Sequence, residues 1–268
     1  MTQDNLYTLA TGELGAHRLS MLDIIQKPYT EFLFRRVGLE QGMAVADIGC
    51  GTGNVSNWVA QQVGSTGSVV GVDVSAEQVE LAQYNAKALG LNNVTFAIGN
   101  AYKTGLPQDS FDLVYCRFLL MHLTNPLDAL LQMRSLLKPS GLLVCEEGDF
   151  RMAFCEPSNP AYNRCFELFL ALSHKRGQHF DMGIRLQRLF MDSGLAAPEV
   201  SLVQAVVMRG KIKRVIDLLL FEANNALIEA GLTTQEEINK TIAQIKALAA
   251  DDTTAFVLPR VIQVWARK

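Results

Sequence analysis

The sequence predicts an α/β fold built on a doubly wound parallel sheet. Two observations carry that reading. Between residues 43 and 147, short β-branched runs alternate with longer amphipathic ones, the pattern of successive βαβ units. A glycine-rich turn, Gly49-Cys50-Gly51-Thr52-Gly53, then joins the first such run to the first helical pattern. In order, MAVADIG (43–49) reads as a buried strand, and a helix starts near Asn54, carries Val55, Trp58 and Val59, and stops by Gly64. SVVGVDV (68–74) is the second strand; Ser75 with Gln78 makes a capping pattern, and Gly90 marks a helix stop. VTFAIG (94–99) and FDLVYC (111–116) are strands three and four. Thr124-Asn125-Pro126 begins a helix ending near Lys138-Pro139, and LLVCEE (142–147) is the fifth strand. Ligands of such sheets bind beyond the carboxyl ends of the strands, so the residues after each strand are the candidates.

Composition narrows the function. The 268 residues are 49% hydrophobic and 19% charged, enough for a real core. Lys and Arg number 24 against 27 Asp and Glu, a net charge of −3, so nucleic acid is not the expected partner. No apolar run approaches the ~20 residues of a membrane span, and MTQDNLYTLATGE lacks the pattern of a secretory signal. The five cysteines (50, 116, 145, 155 and 165) form no C-x-x-C pair; reduced thiols in a cytoplasmic protein fit them. His174 and His179 are poorly spaced for one helix face, and no metal site is expected.

The glycine turn lets the backbone bend tightly and a ligand approach it. A nicotinamide-dependent oxidoreductase would place its third glycine at residue 54, which is Asn54 here. Asp47 also argues against that reading, because a carboxylate before the loop suits a cationic ligand better than a pyrophosphate. Asp73, ending strand two, can accept both hydroxyls of a ribose. After strand three comes Gly99-Asn100-Ala101-Tyr102. The Asn100 side-chain oxygen can accept from an adenine amino group, and the Ala101 N–H can donate to the ring.

At these residues the sequence resembles the class I S-adenosylmethionine-dependent methyltransferases, most of all the small-molecule branch near the ubiquinone and menaquinone methyltransferases. ADIGCGTG, VVGVDVS, GNAYKTGLPQDSFDLVYCRFLLMHL and LLKPSGLLV carry the resemblance across residues 43–150. It implies a seven-stranded, mostly parallel, Rossmann-like sheet and S-adenosylmethionine as cofactor, with S-adenosylhomocysteine as product. Gly49, Cys50 and Gly51 would pack under the cofactor, and Asp73 and Val74 would meet its ribose. Asn100, Ala101 and Tyr102 would frame the adenine, and the Cys116–Arg117 backbone would lie near the methionine amino group. Asn100 departs from the family, which usually has Asp there. Asp47 either touches the cofactor or orders the loop. A non-catalytic cofactor-binding subunit or sensor is the alternative of another class.

By the same resemblance, Ile184–Ala197 fits the next helix, Glu199–Met208 a sixth parallel strand and Phe256–Ala266 a seventh, antiparallel one with Pro259 making its start irregular. The insertion between them reads as two helices, Lys211–Gly231 and one starting at Thr233 with Glu236. The expected division is an N-terminal helical cap (1–38), a cofactor-binding core (39–150), and the rest of the sheet (151–268) with a helical lid at about 211–253. The lid, the cap and segment 148–181 leave from the cofactor edge and would enclose a small-molecule acceptor; a homodimer interface is the other use for them.

Methyl transfer is an in-line displacement that asks for alignment and exclusion of water rather than a fixed triad. His122, after strand four, is the candidate base, with helix packing as the alternative. Arg18 is placed to clamp the cofactor carboxylate or to lie on the surface. Glu146, Glu147 and Asp149 are either acceptor contacts or a solvated rim, and Tyr7 and Tyr162 are candidate pocket walls. Phe118, Phe150, Phe154 and Phe169 read as core or lid packing.

Overall fold

The computed structural model describes residues 12–268. Helix α1 spans Gly12–Arg36, and then come β1 (Ala44–Ile48), α2 (Asn54–Val63), β2 (Ser68–Asp73), α3 (Ala76–Ala88), β3 (Val94–Ile98) and β4 (Phe111–Arg117). A 3-10 turn at Leu120–His122 leads to α4 (Pro126–Leu136) and β5 (Leu137–Asp149). A second 3-10 turn, Phe150–Met152, is followed by β6 (Phe154–Glu156), α5 (Pro160–Lys175), α6 (Met182–Asp192), β7 (Glu199–Val203) and β8 (Val206–Val207). The chain ends with α7 (Val215–Glu229), α8 (Gln235–Ala250), β9 (Ala255–Val257) and β10 (Arg260–Arg267).

Seven strands form one sheet in the order β3-β2-β1-β4-β5-β10-β7, with β10 antiparallel to both its neighbours and the rest parallel. The β-strand period of two divides the apolar residues between its faces. Val45, Leu113 and Val144 pack with Leu33 and Phe34 of α1 and Val59 of α2. Ala46, Val114 and Cys145 face the opposite core, beneath α4 to α8. Cys116 and Cys145 pair across β4 and β5 with their sulfurs 3.4 Å apart, and all five cysteines are free thiols.

Several boundaries differ from the sequence expectation for local reasons. Helix α4 stops at Leu136, because Leu137 is extended and Lys138–Gly141 forms a bulge in β5, where Pro139 needs no ladder partner and Ser140 takes φ 64°. Helix α6 runs two residues earlier than expected and stops short, with Gly194 at φ 82° ending it. The expected sixth strand splits at Gln204-Ala205: β7 stays in the large sheet, while β8 joins β6 and β9 in a small antiparallel one. The Gln204 amide holds that split by donating to the Met152 and Leu258 carbonyls. Helix α8 is capped by Thr234, whose hydroxyl accepts from the Glu237 N–H; Thr233 instead donates to the Glu237 carboxylate. Lys213 is buried, and its ammonium closes the far end of α8 by donating to the Leu248, Asp251 and Thr254 carbonyls.

Candidate active site

The loop after β1 is shaped by glycines. Gly49 has φ 77°, and a Cβ there would lie 3.0 Å from Leu119 Cδ1. Gly53 also has φ 77°, and its Cβ would lie 2.8 Å from the Phe96 ring. Any side chain would therefore push α2 off β3. The N–H groups of Gly49 and Cys50 both donate to the Val72 carbonyl, fixing the loop to β2.

Three polar side chains order this edge. Asp73 accepts from the Gly51 N–H at 2.9 Å and from the Ser75 N–H at 3.0 Å. Burial pushes its carboxyl upward, while those two bonds hold it down. Asp47 accepts from the Ser56 hydroxyl at 2.6 Å, which ties the loop to α2; burial lifts its pKa to about 6 against that bond. Asn100 uses its side-chain oxygen to accept from the Tyr102 N–H at 2.9 Å, a local turn that presents Ala101.

These groups form one end of a cavity of about 710 Å³. Gly49–Thr52, Asp73–Ser75 and Asn100–Tyr102 line that end. The cavity continues, without a break, past Arg18, Arg117 and His122 into an apolar region. There Phe118, Phe150, Phe169 and Phe180 face Val215, Ile216 and Leu219 of α7, and Leu258, Pro259 and Val261 close another side. The rings form a connected wall: Phe150 lies 5.1 Å from Phe180 and 5.9 Å from Phe169, and His122 meets Phe180 edge-on at 5.3 Å. The cavity's only lining carboxylates among the described residues, Asp47 and Asp73, are both at the loop end.

The family model described as a methyltransferase domain matches residues 39–184, more than half of the chain. The chain belongs to that family. A demethylmenaquinone methyltransferase of Geobacillus kaustophilus is 34% identical over 119 residues, which cover 44% of this chain and 51% of the relative. The chain spans about half the length of the curated relatives it matches. Among solved structures, a SAM dependent methyltransferase from Aquifex aeolicus superposes with a TM-score of 0.51 at 23% identity, covering 65% of this chain and 82% of that one. The YcgJ protein from Bacillus subtilis reaches a TM-score of 0.58 at 20% identity, covering 89% and 97%. The fold and family are thus those of the class I S-adenosylmethionine-dependent methyltransferases, as the motifs of residues 43–150 implied.

Placed in this methyltransferase-domain fold, the candidate residues separate into two groups. Arg18, Asp47, Gly49, Cys50, Gly51 and Asp73 all line the cavity, as do Val74, Asn100, Ala101, Tyr102, Arg117 and His122. The substrate candidates do not. Glu146 is buried in the sheet, accepting from Thr30, Tyr115 and Gln263. Glu147 accepts from the Leu119, Leu120 and Met121 N–H groups and so carries the turn after β4. Asp149 is held by Arg151 and Arg260. Tyr162 packs on Phe256 and donates to the Val257 carbonyl. All four are corrections: their polar atoms are satisfied inside the fold. Tyr7 lies outside the described residues. Arg18 is not on the surface; its Nε pairs with Glu222 of α7 at 2.8 Å, both side chains buried. Arg117 reaches back to Asp23 and Thr30 of α1.

Burial, and then the neighbouring Arg18 guanidinium, push His122 down to about 3. A neutral imidazole that takes a proton so reluctantly is poorly suited to general-base work. Sequence reasoning missed the apolar wall from α7 and from residues 258–261. Its Val, Leu and Ile residues carry the same pattern as any core.

Glu147 yields a pH prediction. Burial raises its carboxyl from the ordinary 4.5 to about 8, against the three N–H bonds that favour the anion. Between those two values the folded chain binds a proton that the unfolded chain has lost. Stability therefore falls as pH rises from about 5 to about 8, by on the order of a few kcal/mol. Urea unfolding at stepped pH checks this. Glu147→Gln, which keeps an acceptor for Leu119 and Leu120, is expected to flatten the profile.

Proposed function

We propose that this methyltransferase moves a methyl group from S-adenosylmethionine to a small, apolar, uncharged acceptor held in the enclosed end of the cavity. One observation carries the reading: a single cavity joins the glycine-loop end, with its Asp73 carboxylate, to an aromatic and aliphatic end that no carboxylate of the described residues lines. A cationic amine would find no carboxylate lining that end among the described residues. The printed name of the curated relatives, demethylmenaquinone methyltransferase, agrees with an apolar acceptor. A net charge of −3 offers little to nucleic acid.

The residues fit the cofactor. A Cβ on Gly49 would strike Leu119, so the bare glycine is what leaves room beside the loop. Asp73 has lone pairs beyond those taken by Gly51 and Ser75, and these accept the ribose hydroxyls. The Asn100 turn presents the Ala101 N–H to the adenine. Arg18 stands beside the cavity for the carboxylate of the methionine moiety. S-adenosylmethionine supplies a methyl group already activated on a sulfonium. The chain's own contribution is then to align the acceptor between the phenylalanine wall and α7, and to keep water out. Helix α1, the 150–180 segment and α7 act together as the lid.

Calorimetry with S-adenosylmethionine, S-adenosylhomocysteine and NADH tests the cofactor half. Micromolar binding of the two sulfur compounds with silence from NADH is expected; the reverse would return the chain to nicotinamide chemistry. For the acceptor half, Leu219→Trp fills the apolar end. Turnover of lipophilic acceptors should fall by about a hundredfold, with S-adenosylhomocysteine affinity unchanged. Full turnover by this variant would place the acceptor elsewhere.

A further inference from the structure

The small sheet of β6, β9 and β8 has one face in the core and one in solvent. Cys155, Phe256 and Val207 sit side by side in its register, and all three are buried. The next row over, on the opposite face, is Phe154, Val257 and Val206. Alternation in a half-solvated antiparallel sheet would make that outer row polar. Here Phe154 is 49% exposed and Val206 54%. Met208 continues the alternation beyond Val207 at 46%, and Met152 flanks Phe154 at 42%. The outer face also carries Ala255, and one acid, Glu156.

The rim of this face is basic. Arg151 and Arg260 share the single buried carboxylate of Asp149, and Arg209 and Lys211 are exposed just past Met208. With Lys213 and the acids Glu156, Asp251 and Asp252 included, these groups leave a small excess of positive charge in a chain whose net charge is −3. Asp251 and Asp252, in the turn before β9, are exposed; the Asp251 carboxylate accepts from the Thr253 N–H and hydroxyl, and the Asp251 backbone carbonyl accepts from the Lys213 ammonium.

The size of the face argues against a second copy of the chain as its cover. Three strands at ~4.8 Å spacing and three residues at ~3.3 Å each give a footprint of roughly 140 Å². A stable dimer needs about 800 Å² from each partner. A bilayer surface needs only a few apolar side chains to enter it and cations to meet its head groups. We propose that the outer face of the β6-β9-β8 sheet docks the chain on an anionic lipid surface, with Phe154, Val206, Met208 and Met152 entering the interface and Arg151, Arg209 and Lys211 on the phosphates. Strands β6 and β9 lead directly to Phe150 and to Leu258-Pro259, which wall the cavity. If the proposed lipophilic acceptor is right, docking would hold the cavity wall beside the acceptor's reservoir; the contact itself does not depend on that reading.

Sedimentation with vesicles tests it. The full chain is expected to co-sediment with an equal mixture of phosphatidylcholine and phosphatidylglycerol, less with phosphatidylcholine alone, and less again on adding salt. F154S/M208S and R209E/K211E should each lower partitioning by about tenfold. Their S-adenosylhomocysteine affinity by calorimetry should match the parent's, which shows that they fold and keeps this test separate from the methyltransferase reading. A parent chain that stays in the supernatant, or variants that partition equally, would overturn the proposal. So would a parent dimer on size exclusion that F154S/M208S makes monomeric, because a second copy would then own the face.

Discussion

Asp73→Asn is expected to weaken S-adenosylmethionine binding by about a hundredfold, with the fold retained. The carboxylate ends β2 and reaches the cavity while already accepting from the Gly51 and Ser75 N–H groups. Hydrogen bonds to a charged acceptor contribute about 1.5–3 kcal/mol each, and a ribose offers two hydroxyls. Asparagine keeps one acceptor oxygen but turns a donor toward a site built for donors. Alanine would be the less informative change, because it also strips the acceptor from Gly51 and loosens the loop. Calorimetry reads the affinity, and thermal unfolding shows whether the loop has survived. Unchanged affinity in a folded variant would end the ribose assignment.

Glu222→Ala should cost about 3–5 kcal/mol of stability. Its carboxylate meets Arg18 Nε at 2.8 Å with both side chains out of solvent, so truncating one partner takes the counter-charge from a buried ion. Removing both charges is a different experiment. Arg18→Met with Glu222→Leu replaces the pair by apolar side chains of similar bulk and should restore most of the loss, because buried pairs repay little beyond their desolvation. Urea titrations of the two single variants and the double variant form the cycle. A cost below about 1 kcal/mol for Glu222→Ala would mean the pair is wet in solution. The restored double variant also isolates the donor site. If it binds S-adenosylmethionine like the parent, Arg18 does not hold the cofactor carboxylate.

The glycine-loop end of the cavity was legible in the sequence because its pattern is local. Gly49, Asp73 and Asn100 each follow a strand whose β-branched run is unmistakable, and strand ends converge in a parallel sheet. Glu146, Glu147 and Asp149 were misread because the same rule was applied too early. The polarity of Glu146 looks like the end of a strand, yet β5 runs on to Asp149. What makes these carboxylates tolerable inside is supplied from far along the chain: Thr30 and Gln263 for Glu146, Arg260 for Asp149. No local pattern announces such partners. The small sheet was equally hidden, since its strands are two or three residues long and about fifty residues apart. Phe150 and Phe169 were assigned to packing, which they also do; a ring that walls a cavity has the same spacing as one that fills a core.

The two ends of the cavity draw on different stretches of chain. The glycine-loop end comes from the turns after β1, β2 and β3, and much of the apolar end from α7, the 150–180 segment and residues 258–261. Genetic change can therefore reach one without the other. On the proposed function, substitutions at Phe169, Phe180, Val215 or Leu219 are expected to alter which compound is admitted while Gly49, Asp73 and Asn100 keep the same donor. On that proposal a lineage carrying this scaffold would exchange its acceptor by drift at a handful of apolar positions, and directed evolution of new acceptors should begin with those codons.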